Sequence, residues 1–164
     1  MAKRVHNVRG LTVKKDSMML ELGTLRLNRN LNDAQTELDL AISRSMEPFM
    51  PHQDGNFIKR VQAKNTSIAG TGEVYAAVGP EGRYLYEGEI MVDEKTGSPW
   101  ARKDARKVLV SQYTGKTISR EKRKTKLAFY KGHNPDAQSH WFEAAEKKDS
   151  DKWMRVVDNE MMKP

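Results

Sequence analysis

Leu27-Asn28-Arg-Asn-Leu31-Asn-Asp-Ala34-Gln-Thr-Glu37-Leu38-Asp-Leu-Ala41-Ile42-Ser-Arg-Ser-Met46-Glu47-Pro48 is the stretch from which the fold is read. Leu27, Leu31, Ala34, Leu38, Ala41, Ile42 and Ser45 or Met46 recur at the spacing of three and four that lines one face of a helix. Arg29, Asn32, Asp33, Glu37, Asp39 and Arg44 fall mostly on the other face. The pattern predicts a helix over about 28–47 with Asn28 as its N-cap. Pro48 ends it, because a residue before proline is pushed out of the α region. Gly23 weakens any extension back through Asp16 to Leu25.

Downstream, Glu47 to Phe57 holds two prolines and an Asp-Gly, the makings of a rigid connector and turn. A strand is expected over about 58–64, then a polar turn over 65–72 and a second strand over 73–78. Gly79-Pro-Glu-Gly82 reads as a tight turn, and 83–92 as a short turn followed by a third strand. Ser98-Pro99-Trp100 fits a helix start, with Trp100, Ala101, Ala105, Val108 and Leu109 sharing a face. Residues 115–125 lack periodicity and read as a loop; 126–131 reads as a return to the sheet. Asn134 as cap and Pro135 at the first helical position open a helix with Ala137, Trp141, Phe142, Ala144 and Ala145 on its apolar face. Asp151 opens a last helix carrying Trp153, Met154, Val157 and Met161.

The order predicts an α+β fold: an antiparallel sheet of three to four strands packed by a long N-terminal helix and C-terminal helices. The expected organisation is a flexible arm over 1–15, one domain over 16–147 with a basic insertion at about 98–126, and a C-terminal helix or arm over 148–164.

At 164 residues the chain is long enough to bury a core without staples. Its mean hydropathy of −0.79 is low for a tight globule, so arms or partner-facing surface are expected. The absence of cysteine excludes a disulfide framework, a cysteine zinc site and a thiol nucleophile. Met1-Ala-Lys-Arg-Val-His6 is basic with no apolar run behind it, unlike a signal peptide, and no apolar run has the length of a membrane span.

The net charge of +7 is unevenly placed. From Arg102 to Lys126 there are ten basic and two acidic residues, so the remainder sums to −1. Arg102, Lys103, Arg106 and Lys107 are spaced to share a helical face; Arg120, Lys122, Arg123, Lys124 and Lys126 follow in the loop. Such a segment suits phosphate or an acidic neighbouring subunit. Single-strand recognition asks for interleaved aromatics, and Tyr113, Phe129 and Tyr130 only flank the run. Trp153 and Met154, with Met161 and Met162, make a second candidate contact face on a short terminal helix.

No catalytic or cofactor constellation stands out. His6, His52, His133 and His140 have no metal-ligand spacing, and no G-x-S-x-G elbow is present. Gly70-Thr-Gly72 lacks the residues of a phosphate loop. Asp93-Glu94 reads as a carboxylate pair on a surface turn.

Several segments taken in series resemble a family of phage minor capsid proteins from tailed phages of Gram-positive hosts, related to tail-completion or head–tail joining proteins. They are Leu31-Asn-Asp-Ala-Gln-Thr-Glu-Leu38-Asp-Leu40, Met46-Glu-Pro-Phe-Met-Pro51 with Asp54-Gly55-Asn-Phe57, and Tyr75-Ala-Ala-Val-Gly-Pro80 with Arg83-Tyr-Leu-Tyr86. Thr96-Gly-Ser-Pro-Trp-Ala101 and His133-Asn-Pro-Asp-Ala-Gln-Ser-His-Trp-Phe142 complete the series. The family usually has Thr-Gly where this chain has Asp54-Gly55; either suits the turn. The resemblance implies a non-enzymatic virion component made in the host cytoplasm and placed in the neck. It would form a ring, with six copies expected, between the portal side of the capsid and the tail tube. Its neighbours would be stopper or adaptor proteins on one side and tail terminator or tube proteins on the other. Contact with genomic DNA in the channel would be non-specific, and no cofactor, metal or membrane is expected. The charge supports one alternative: a nucleic-acid-binding packaging accessory protein using residues 102–126.

Overall fold

The computed structural model describes residues 17–100, 103–118 and 126–164, with side chains from residue 25 onward. The chain is α+β and dominated by helices. In order come α1 (Ser17–Met46), a 3-10 turn (Glu47–Phe49), α2 (Asn56–Ile68), α3 (Gly82–Glu87), β1 (Met91–Asp93), β2 (Lys107–Leu109), a second 3-10 turn (Val110–Gln112) and α4 (Trp141–Met161).

The long first helix forms as its periodicity predicts, and α4 packs along it. Ala34 and Met46 are buried, while Leu38, Ala41 and Ile42 pack against the core. The helix starts earlier than expected, so Asn28 lies inside it and is not its cap. Gly23 does not stop it; a glycine costs only about 1 kcal/mol relative to alanine, which a 30-residue helix absorbs.

The strand expected over 58–64 is instead helix α2. Its buried positions are Phe57, Ile58, Val61 and Asn65, a helical spacing with a polar residue in the last place. Gly55, with φ of +74°, turns the chain into the helix, and an Asp54 carboxylate oxygen accepts the Asn56 N–H at 3.0 Å.

The strand expected over 73–78 is absent: the segment has no regular secondary structure, bends at Ala76 and joins no ladder among the described residues. Its backbone is paired by side chains instead. Asn65 Oδ1 accepts the Tyr75 N–H (2.8 Å) and Asn65 Nδ2 donates to the Tyr75 carbonyl (3.0 Å), as a neighbouring strand would. Trp141 Nε1 donates to the Ala76 carbonyl at 2.8 Å. Asn65 is 1% exposed and also donates to Ser43 Oγ on α1.

The Gly79–Gly82 turn closes as expected, the Gly82 N–H reaching the Gly79 carbonyl at 3.1 Å. Beyond it the chain forms the short helix α3, and only 91–93 of the predicted third strand is strand. Met91 pairs with Leu109, Val92 with Val108 and Asp93 with Lys107, antiparallel. The sheet of the described residues is therefore two strands, not three or four. The helix expected from Ser98 is absent from the described residues, since Val108 and Leu109 lie in β2. The 126–131 segment is not a strand; Leu127 gives one backbone bond, to the Gly88 carbonyl at 2.9 Å.

At the C-terminus one helix replaces two. Residues 134–137 form a turn, α4 begins at Trp141, and Asp151 sits within it, so the helix runs through the expected 147/148 boundary. Asn134 does not cap its own helix. Its Nδ2 donates to the Glu47 and Met50 carbonyls (2.7 and 2.9 Å), closing the end of α1 and its 3-10 turn. Asn30 on α1 does the same for α4, donating to the Met161 and Lys163 carbonyls. The expected arm over 1–15 and residues 119–125 of the expected loop lie outside the described residues.

Two apolar clusters result. The main one gathers Met46, Phe49, Met50, Phe57, Ile58, Val61, Trp141, Ala145 and Trp153; the smaller one, under the hairpin, gathers Val92, Val110 and Tyr113. Asn65→Ala should lower the unfolding free energy by about 2–4 kcal/mol, because it removes a fully buried side chain and its three hydrogen bonds, to Ser43 and to both backbone groups of Tyr75. Urea denaturation measures this; a loss below about 0.5 kcal/mol would mean the side chain does not hold the 73–78 segment.

Candidate functional site

The hairpin lobe is shaped by Asp93, which is fully buried. Its Oδ1 accepts the N–H groups of Lys95 and Thr96 (2.8 and 3.0 Å). Its own N–H donates to the Ser98 carbonyl, and its carbonyl accepts the Gly97 N–H, both at 2.8 Å. Asp93 is thus an internal staple of the loop and no member of a surface carboxylate pair. Gly97 has φ of +70°, and a Cβ there would sit 2.8 Å from the Tyr113 ring, so only glycine fits.

This folding of 93–98 leaves Trp100 85% exposed at the far end of the hairpin. Trp100 therefore does not share an apolar face with Val108 and Leu109. The Trp100 N–H donates to Ser98 Oγ (3.1 Å), and Lys107 Nζ donates to the Pro99 carbonyl (3.2 Å). Lys103 and Arg106 are also exposed on this loop. The basic residues thus stand on a hairpin beside a tryptophan, not on a helical face. Residue order could not show this, because Trp100 lies outside the charged run in sequence.

Arg102, Arg120, Lys122, Arg123 and Lys124 lie outside the described residues. Lys126 is paired with Glu89 at 2.9 Å, and the other Glu89 oxygen accepts the Ser111 N–H. Burial pushes the Glu89 carboxyl up, but the bonds from Ser111 and Lys126 outweigh it and hold the group below its ordinary 4.5. Trp153 is a core residue: it stacks on Phe142 at 6.1 Å and donates Nε1–H to Ser45 Oγ at 3.0 Å. Met154 and Met162 remain at the surface, 62% and 81% exposed.

A polar cluster at the start of α4 was not visible in the sequence, because its members are far apart along the chain. Tyr86 donates its hydroxyl to Glu143 at 2.6 Å, and His140 stands between Glu143 (3.5 Å) and Glu87 (3.7 Å). Burial, then the bond to Glu143, pushes the Tyr86 hydroxyl well above its ordinary 10. For Glu143, burial works upward, and the bond from Tyr86 leads the opposing effects that hold it below 4.5. Tyr86 is therefore a fixed proton donor holding α3 to α4.

The Gly70 and Gly72 N–H groups are occupied by Asp39 Oδ2 at 2.8 and 3.1 Å, so this turn grips a carboxylate of its own chain. His52 and His133 approach to 4.7 Å between ring centroids. Among the described residues no group of three or more histidines and carboxylates is placed to hold a metal ion, and no helix is long and apolar enough to cross a membrane. An open cleft of about 520 Å³ lies between α3 and the hairpin, lined by Pro80, Tyr84, Ile90, Met91, Pro99 and Leu127 among others. No family model, curated protein or solved structure matches the chain.

Glu89 and Glu143 make stability depend on acid. Each binds its proton at lower pH in the folded chain than in the unfolded one. Their contribution is therefore complete above about 4.5 and is lost as pH falls through the depressed folded values. Unfolding free energies measured from pH 6 down to about pH 3 should fall, and the Glu89→Gln/Glu143→Gln variant should fall less steeply. Identical slopes for the two proteins would contradict the assignment.

Proposed function

We propose that the chain is a structural subunit of a phage neck, a head–tail connector or tail-completion protein that acts by ring formation and docking, without catalysis. The observation that carries this reading is how the segments of the family resemblance meet. Trp141, from His133–Phe142, contacts Tyr86 and Phe57 edge-on at 4.9 and 5.8 Å and bonds the Ala76 carbonyl. Asn134 bonds the Glu47 and Met50 carbonyls, the Gln138 N–H bonds the Phe49 carbonyl, and the His140 N–H bonds the Tyr86 carbonyl. The segments of the resemblance other than Thr96–Ala101, which falls on the hairpin, are thus one another's partners in one core. Their mutual packing supports reading them as parts of one scaffold.

The surface fits the same reading. A head-to-tail ring needs two different complementary patches per subunit. The apolar cleft beside α3 offers one; the C-terminal half of α4, with Met154 exposed and Met162 exposed just past its end, offers another. In this reading the segment at 126–131, already bonded to Gly88, extends the hairpin to a third strand on assembly. Self-association then draws on apolar anchors, with charge setting orientation.

Isolating particles from cells that make this chain tests the proposal. The chain should co-purify with joined particles at a few copies each, and its loss should leave heads and tails unjoined. Joined, infectious particles without the chain would refute the reading. Met154→Lys should reduce ring formation; unchanged rings would remove the end of α4 from the contact.

A further inference from the structure

Each of the three tryptophans has a different environment. Trp141 and Trp153 are buried, and their indole N–H groups are bonded to Ala76 and Ser45. Trp100 contributes almost no burial to the fold, yet its backbone is fixed by Ser98 and by the Lys107 ammonium on the Pro99 carbonyl. The described residues of this loop, 94–100 and 103–107, hold four basic and two acidic residues, a net of +2. Lys107 spends one donor on Pro99 and has two left.

We propose that this hairpin binds single-stranded nucleic acid, with Trp100 stacking on an unpaired base and Lys103, Arg106 and Lys107 contacting the flanking phosphates. An exposed aromatic face beside cations is the combination single strands require: the ring supplies sequence-tolerant stacking, and the charges follow the backbone. Interleaving that is missing along the sequence is supplied in space, where β1 and β2 bring residues 99 and 107 together. A second copy of the chain is the poorer occupant, because symmetric docking of two such hairpins would oppose like charges. A protein interface core is also depleted in lysine, whereas Lys103 and Lys107 are both exposed here. The base-paired interior of a duplex offers no free face to Trp100, so the site prefers single strands.

The inference stands apart from the neck reading: oligonucleotide binding can fail in a chain that still enters particles, and the reverse. The test is a tryptophan fluorescence titration of the whole chain with oligodeoxythymidylate about 16 nucleotides long. A duplex of equal length and heparin, a polyanion without bases, serve as comparisons. Oligodeoxythymidylate should quench the emission of Trp100, and heparin should compete without quenching. Trp100→Ala should abolish the quenching and weaken binding roughly ten-fold. Lys103→Gln/Arg106→Gln/Lys107→Gln should make the slope of log K against log salt shallower by about 2. Because these side chains are exposed, the variants should keep the far-ultraviolet circular dichroism of the parent. Equal affinity with and without Trp100, equal affinity for duplex and single strand, or no binding at low salt would each overturn the proposal. Shielding of Trp100 that depends on protein concentration alone would overturn it in favour of a protein interface.

Discussion

A buried backbone N–H or C=O must find a partner, and this chain satisfies many of them outside helices and sheets. Asn65 and Trp141 pair the irregular 73–78 segment, Asp39 takes the Gly70 and Gly72 amides, Asn134 closes the end of α1, and Asn30 closes the end of α4. With only a three-residue ladder in the described hairpin, sheet pairing alone would leave the centre unsatisfied. The side-chain bonds are what allow a loop-rich middle to pack against the α1–α4 pair.

Trp141 is the point where those bonds and the apolar core coincide. It is fully buried, and its ring meets Phe57 on α2 and Tyr86 on α3 while its N–H reaches Ala76. Truncating a buried tryptophan costs about 3–5 kcal/mol, and here three neighbours would lose their common contact. The residues that look most like motifs are therefore committed to the interior. What the chain offers to partners is elsewhere, on the hairpin and the end of α4.

The same economy explains what could be read from sequence. The first helix was legible because Leu31, Ala34, Leu38, Ala41, Ile42 and Met46 keep an apolar stripe at helical spacing; that Asn30, Asp39 and Ser43 are buried beside it was not legible. Helix α2 was not, since Asn65 occupies the position where the stripe Phe57, Val61 would have continued, and Ile58 and Val61 favour a strand when taken alone. Residues 73–78 have true strand propensity, but propensity says nothing of whether the partner is a strand or an asparagine. Val108 and Leu109 fit a helical spacing with Ala105 by coincidence; their pairing with β1 depends on Asp93 turning the chain, a long-range fact. The charged part of the candidate surface was legible from composition, whereas its aromatic part was not, because exposure of Trp100 and burial of Trp153 are set by tertiary packing.

The central claim is that side chains, Asn65 foremost, take the place of a neighbouring strand. Native-state hydrogen exchange at the Tyr75 amide tests it most directly. If Asn65 Oδ1 holds that N–H, it should exchange only through global unfolding, as slowly as the amides in the middle of α1, and Asn65→Ala should release it to a local, faster route. A Tyr75 amide that exchanges at the rate of an open loop in the parent protein would contradict the account.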